Sequence, residues 1–271
     1  MKDEATGFTG SIPSHYDQGL GPMIFVDYAA EMAERVAACT PVCVLETAAG
    51  TGIVTRRLRD VLPEPVRLVA TDLNAPMLDV ARTKFVPGEQ VEFQPADAMA
   101  LPFEDGSFGA VVCQFGVMFF PDKDRSYREV YRVLADGGRY FFSVWDSHRQ
   151  NPFGRIAYEV PARFFPADPP QFYNVPFSYN QIGPIKESLL EAGFTDIEVA
   201  VVSLEKEIPD AAAFARGLVY GNPLIDQVRA RGNVEPKRIV EAILQELRRE
   251  FGADPGRMPL QAILFSAKKR K

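Results

Sequence analysis

From residue 42 to residue 145, short apolar runs alternate with amphipathic stretches, and this alternation predicts strands separated by helices. Val42-Cys43-Val44-Leu45 is an apolar run that ends in an acid and then a glycine-containing turn. Thr51 to Leu62 carries Ile53, Leu58, Val61 and Leu62 at helical spacing, with arginines on the other face. A second apolar run, Val66 to Thr71, leads into Asp72. Pro76 to Lys84 reads as a helix, with its proline in the first turn, where a missing N–H costs little. Val91-Glu92-Phe93 and Phe108 to Phe115 read as the third and fourth strands. Asp124 to Leu134 is a helix stopped by Asp136-Gly137-Gly138, and Arg139 to Trp145 is a fifth strand. Repeated strand-to-helix crossovers of this kind favour a doubly wound α/β sheet.

Past Trp145 the rhythm changes. The stretch 151–179 is rich in proline and aromatic residues. Gln181 to Ala192 reads as a helix closed by Gly193, and Asp196 to Leu204 as a sixth strand. Ala211 to Phe251 is mostly helical, with breaks at Gly221-Asn222-Pro223 and Gly232, and Leu260 to Ala267 is a final strand. Without a repeat or a low-complexity linker, residues 1–271 read as one domain: an N-terminal helical lid (1–40), a ligand-binding core (42–145) and two cap insertions (146–180 and 209–257).

Composition narrows the function. Hydrophobic residues are 46% and charged residues 24% of 271, which is ordinary globular usage. A net charge of −6 offers no positive field to draw in a nucleic-acid backbone, so nucleic acid is not an expected partner. Lys268-Lys269-Arg270-Lys271, the one strongly basic run, reads as a solvated tail. Cys39, Cys43 and Cys113 form no even disulfide framework and read as buried free thiols in a reducing cytoplasm. With two histidines in the chain, no metal site is expected. Met1-Lys2-Asp3-Glu4 does not open a signal peptide, and no apolar run has the length of a membrane span, so a cytoplasmic protein without a membrane partner is expected.

The chemistry concentrates in Val44-Leu45-Glu46-Thr47-Ala48-Ala49-Gly50-Thr51-Gly52, at a strand-to-helix turn where glycines let the backbone approach a nucleotide. Asp72 ends the second strand twenty residues after Gly52, where a carboxylate can accept from ribose hydroxyls. Asp97 follows the third strand, within reach of an adenine amino group in such a fold. A nicotinamide dehydrogenase would share the first two features. Its fingerprint, however, needs a glycine where Thr55 stands, and its pyrophosphate would face the like charge of Glu46. A ligand with an ammonium and a sulfonium turns that same acid into an attraction, and S-adenosylmethionine is such a ligand.

These motifs, together with Thr71-Asp72, Asp97-Ala98, Leu101-Pro102-Phe103 and Glu129-Val130-Tyr131-Arg132-Val133-Leu134 before Gly137-Gly138, resemble class I S-adenosylmethionine-dependent methyltransferases. The similarity is to the type 11 group, which includes ubiquinone/menaquinone-biosynthesis methyltransferases, and it covers about residues 42–145. It implies a Rossmann-like seven-stranded sheet whose last strand is antiparallel, with helical lid insertions. Glu46 would face the methionyl amino group, and the backbone at Ala48, Gly50 and Gly52 would line the methionine and ribose. Asp72 would bind the ribose hydroxyls and Leu73 would pack on the adenine. Asp97 and Ala98 would hold the adenine edge, with Gln114 and Phe115 beside the sulfonium. Tyr16 would belong to a segment folding over the cofactor. Ala48 stands where the family has its first glycine, which a loop of negative φ accommodates.

The reaction implied is direct methyl displacement onto a small acceptor, with S-adenosylhomocysteine as product. The aromatic stretch 151–179 suggests an apolar or aromatic acceptor, although the same aromatics could simply pack the extra helices on the sheet. His148, past the fifth strand, is a weak candidate base, a surface loop histidine being the competing assignment. A nicotinamide-dependent oxidoreductase and a non-catalytic adenosyl-ligand-binding module remain the alternatives, and a homodimer is compatible with the sequence.

Overall fold

The computed structural model describes residues 7–253 and 255–270. The leader reading at Met1-Lys2-Asp3-Glu4 and the last residue of the basic run, Lys271, lie outside the described residues. In chain order the elements are α1 (Ile12–His15), a π-helical stretch (Tyr16–Phe25), α2 (Val26–Ala37), β1 (Cys43–Glu46), α3 (Ile53–Val61), β2 (Arg67–Asp72), α4 (Ala75–Arg82), β3 (Val91–Pro95) and β4 (Phe108–Gln114). There follow α5 (Lys123–Val133), β5 (Leu134–Trp145), α6 (Pro152–Phe164), α7 (Ile182–Glu191), β6 (Thr195–Ile208), α8 (Ala211–Tyr220), α9 (Leu224–Arg231), α10 (Pro236–Phe251) and β7 (Gly256–Lys268).

The seven strands form one sheet in the order β3-β2-β1-β4-β5-β7-β6, with β7 antiparallel. This is the doubly wound arrangement expected from the alternating pattern. The order reverses between β1 and β4, where open α/β sheets bind their ligands beyond the carboxyl ends of the strands. Among the described residues, no helix is long and apolar enough to cross a membrane.

The chain divides into two compact units. One comprises Val26–Val144, Asn180–Val201 and Ile263–Lys271. Its central strands are buried on both faces, which is why β1, β2 and β4 read as continuous apolar runs instead of alternating ones. Beside them runs an aromatic stack: Phe142 lies on Phe265 at 4.8 Å with the rings nearly parallel, and on Tyr140 at 4.8 Å.

The α3–β2 connection of this unit is held by a buried cation. The Arg59 guanidinium donates to the carbonyls of Leu62 (3.0 Å), Pro63 (2.6 Å), Val66 (2.9 Å) and Gln90 (3.3 Å). Leu62, Pro63 and Val66 belong to the α3–β2 connection and Gln90 to the approach to β3, so one rigid fork ties the two segments together.

The other unit comprises the described residues of Met1–Phe25, together with Trp145–Tyr179 and Val202–Ala262. Here the stretch 151–179 forms α6 and a short 3-10 turn at Phe172–Asn174. Phe153, Phe172, Tyr173 and Phe177 are buried. Phe153 meets Trp145 and Phe177 edge-on, each at 5.7 Å. The Tyr173 hydroxyl donates to Leu218 O and accepts from Asn222 Nδ2. These aromatics are core-forming groups of their own unit. The π-helical stretch and α8 approach so closely that a Cβ on Gly19 would lie 2.7 Å from Gly217 Cα.

Several sequence expectations need correction. Asp136-Gly137-Gly138 does not separate helix from strand, because β5 already begins at Leu134. Gly137 takes φ 78° and donates its N–H to Lys269 O, so the glycine pair is an irregularity within the sheet. Lys269 is no solvated tail residue: its Nζ donates to Leu134 O at 2.8 Å and sits over the Tyr131 ring. Cys43 and Cys113 are buried free thiols as expected, but Cys39 is exposed beyond the end of α2. The sixth and seventh strands run longer at both ends than their apolar cores suggested.

The Arg59 cluster gives a direct stability test. Arg59→Ala removes hydrogen bonds to four carbonyls, of which Pro63 keeps the Val66 N–H, and urea unfolding is expected to show a loss of about 2–4 kcal/mol. Arg59→Lys, with a point charge in place of the fork, should recover only part of it.

Candidate functional site

The loop after β1 and the carboxyl ends of β2, β3 and β4 bring Glu46, Ala48, Gly50, Gly52, Asp72, Leu73, Asp97, Ala98, Gln114 and Phe115 to one edge of the sheet, all within a single unit. Parallel pairing sets this up. Glu46 is in register with Ala70 on β2 and Val112 on β4, and Asp72 with Pro95 on β3.

Glu46 is 2% exposed. Its Oε2 accepts from the Thr55 hydroxyl at 2.6 Å, and no basic side chain pairs with it among the described residues. Removal from water pushes its carboxyl up to about 8, the Thr55 hydrogen bond pulls the other way, and the nearby Asp72 charge adds to the rise. Asp72 is buried as well, and burial raises it above the usual carboxylate range. Its Oδ2 accepts the Gly50 N–H at 2.9 Å and its Oδ1 the Asn74 N–H at 2.8 Å, so one carboxylate ties the β1 loop to the β2 turn. Thr71 Oγ1 donates to the Glu46 carbonyl at 3.0 Å and completes the link.

The loop is strained where it turns. Gly50 and Gly52 take φ 56° and 77°, and a Cβ on Gly52 would lie 2.7 Å from Ala81 Cβ, so the second position admits only glycine. Ala48 takes φ 51°. The expectation of a negative φ at this residue is therefore wrong. Ala48 adopts the left-handed conformation that a glycine would adopt freely, at a cost of about 1–2 kcal/mol for an L residue. Its methyl fits because residue 116 is glycine, where a Cβ would come within 2.5 Å of Ala48 Cβ and 2.8 Å of Cys113 Sγ. Phe115, next to it, is also left-handed at φ 54°, with its N–H donated to Ser143 O. Two strained non-glycine residues thus stand at this one edge.

Leu73 is 59% exposed just beyond Asp72, an apolar side chain left open to solvent. Asp97 makes an Asx turn, with its Oδ1 accepting the Met99 N–H at 2.8 Å, and Ala98 is buried. The loop that follows is clasped by α5. Glu129 Oε2 accepts the Leu101 N–H, and Arg132 donates to the carbonyls of Leu101 and Phe103.

Two proposed residues lie in the other unit. Tyr16 stacks on Phe25 at 5.0 Å and meets Phe8 edge-on. His148 faces the Tyr173 carbonyl through Nε2 at 3.0 Å and packs between Tyr158 and Phe177. Burial lowers its pKa, which favours the neutral ring with the proton on Nε2.

Thr55 entered the sequence reading only as a missing glycine. Its signal was present: with Leu58 it stands at i and i+3 on the inward stripe of α3, and a hydroxyl there must find a buried acceptor.

Residues 45–142 match the family model described as "Methyltransferase domain". Among curated relatives, the chain is 39% identical over 120 residues to the ubiquinone/menaquinone biosynthesis C-methyltransferase of Hahella chejuensis, covering 43% of this chain and 48% of that protein. It is 39% identical over 117 residues to the demethylmenaquinone methyltransferase of Thermus thermophilus, covering 43% and 53%. The chain spans about half the length of these relatives. Among solved structures, it superposes on phosphoethanolamine N-methyltransferase 2 of Haemonchus contortus, solved in complex with S-adenosyl-L-methionine, with TM-score 0.62 and 18% identity, covering 98% of this chain and 58% of that one. That likeness shows the fold.

Two measurements test this geometry. Ala48→Gly relieves the left-handed strain but frees the unfolded chain, and a net gain of up to about 1 kcal/mol in thermal or urea unfolding is expected. A clear loss would mean that the methyl packing on Gly116 outweighs the strain. Because the folded-state pKa of Glu46 is raised, folding takes up a proton between about pH 4.5 and 8. Its contribution to stability is full below that window and lost through it as pH rises, and Glu46→Gln should flatten this decline.

Proposed function

We propose that this chain, whose residues 45–142 carry a class I methyltransferase domain of the type 11 group, binds S-adenosylmethionine and transfers its methyl group to a small aromatic acceptor. The observation that carries the reading is Glu46, a buried acid at the β1 turn with no basic partner among the described residues. A phosphate beside this group would make its ionisation still harder, whereas an α-ammonium group stabilises the ionised form as its counter-charge.

The remaining residues fit the same ligand. Asp72, already fixed by the Gly50 and Asn74 N–H groups, would accept from the ribose hydroxyls. Leu73 offers an open apolar face to the adenine, with Asp97 and Ala98 at its edge. The backbone at Ala48, Gly50 and Gly52 would line the methionine and ribose, and Gln114 and Phe115 would stand beside the reacting centre. Bound there, S-adenosylmethionine supplies a methyl group on a sulfonium that leaves as a neutral thioether. The chain itself then has to orient that group, exclude water and hold the acceptor in line. No proton transfer is assigned to His148, whose Nε2 is engaged by the Tyr173 carbonyl. The curated relatives, named for methylation in quinone biosynthesis, support an aromatic quinone-precursor type of acceptor, and carbon as the methylated atom.

Calorimetric titration with S-adenosylmethionine, S-adenosylhomocysteine, NAD and NADP tests the cofactor. The adenosyl amino acids should bind and the nicotinamides should not, with Asp72→Ala weakening the former by at least about tenfold. Binding of NAD in place of S-adenosylhomocysteine would overturn the reading.

A further inference from the structure

Thr55 is fully buried in the first turns of α3, and its hydroxyl makes one short hydrogen bond, to Glu46 Oε2. Three constraints fix that contact. Gly52 brings the start of α3 against Ala81, leaving room for no side chain at the turn. Thr55 shares the inward stripe of α3 with Leu58, so its β-branched side chain cannot rotate out to water. Glu46 is held by its own strand, with the carbonyl accepting from Thr71 and the peptide in register between β2 and β4. The groups facing the Glu46 carboxyl are Thr55 from α3, the Asp72 carboxylate from β2 and the Cys113 thiol from β4. The first donates a hydrogen bond, while the other two bring no positive charge.

We propose that Thr55 is a positioning residue for the cofactor: its hydroxyl holds Glu46 Oε2, orients Oε1 toward the ligand's ammonium group and keeps the carboxyl available in its ionised form. This rests on the adenosyl-ligand reading of the site. The residue that breaks a dinucleotide fingerprint is thereby the one that adapts the turn to a cationic amino acid end.

A hydrogen bond to the charged form favours ionisation, so its removal delays ionisation to higher pH. A ligand that needs the ionised acid then loses affinity at neutral pH, while a ligand lacking the ammonium is indifferent. The test compares S-adenosylhomocysteine with 5′-methylthioadenosine, which has the adenosyl thioether but no amino acid end. Calorimetric affinities are measured from pH 6.5 to 8.5 on the wild type, Thr55→Val, Thr55→Ala and Thr55→Ser. The expected result is S-adenosylhomocysteine binding that tightens with pH in the wild type. In Thr55→Val and Thr55→Ala it should be about tenfold weaker at pH 7 and reach its plateau at higher pH. Thr55→Ser should restore the wild-type profile, and methylthioadenosine affinity should stay within about twofold throughout.

Equal losses for both ligands, or an unshifted pH profile in Thr55→Ala, would overturn the proposal and leave the cofactor reading intact. Absence of binding of either adenosyl ligand to the wild type would instead remove the reading on which it rests. Carbon-13 NMR titration of the Glu46 carboxyl in the unliganded protein compares the wild type with Thr55→Val. A higher midpoint in the variant supports the proposal, and an unchanged one overturns it.

Discussion

Taking two carboxylates out of water at neighbouring strand ends is the constraint around which this edge of the sheet is organised. Each ionised group deprived of solvent needs compensation, and the two obtain it differently. Asp72 is compensated within the fold, by backbone N–H groups of Gly50 and Asn74, and so acts as a rivet between the β1 loop and the β2 turn. Glu46 has one hydroxyl and a raised pKa, so its compensation within the fold is incomplete.

The same edge stores conformational strain. Ala48 and Phe115 both occupy the left-handed region, and Gly116 leaves the room that the Ala48 methyl needs. Strained residues persist only where the surrounding packing over-determines them. Here that packing comes from the strands that align Glu46 and Asp72, so charge burial and backbone strain have one mechanical support. The left-handed alanine at residue 48 is therefore accommodated locally by glycine at residue 116.

Much of this was legible in the residues. The alternation of apolar runs and amphipathic stretches specified the doubly wound sheet, because strands buried on both faces and helices buried on one leave different periods. The ends of α3, α4 and α5 fell within two residues of their predicted limits. The break at Asp136-Gly137-Gly138 was misread, since a glycine pair signals a turn locally whereas here Lys269, far along the chain, accepts and donates across it. The assignment of Lys269 to a solvated tail and of Cys39 to the interior failed for a related reason: partners and coverage come from elsewhere in the chain.

By itself the sequence determined the order of the strands and helices, the acids at the strand ends and the glycine turn between them, since each depends on residue type and local spacing. Only the tertiary structure decided that Ala48 is left-handed, that Asp72 rivets two loops and that Thr55 attends Glu46. It also decided that the aromatics of 151–179 build a core of their own unit. Those outcomes depend on which distant groups are pressed together when water is excluded, and no local pattern encodes the identity of a partner across the sheet.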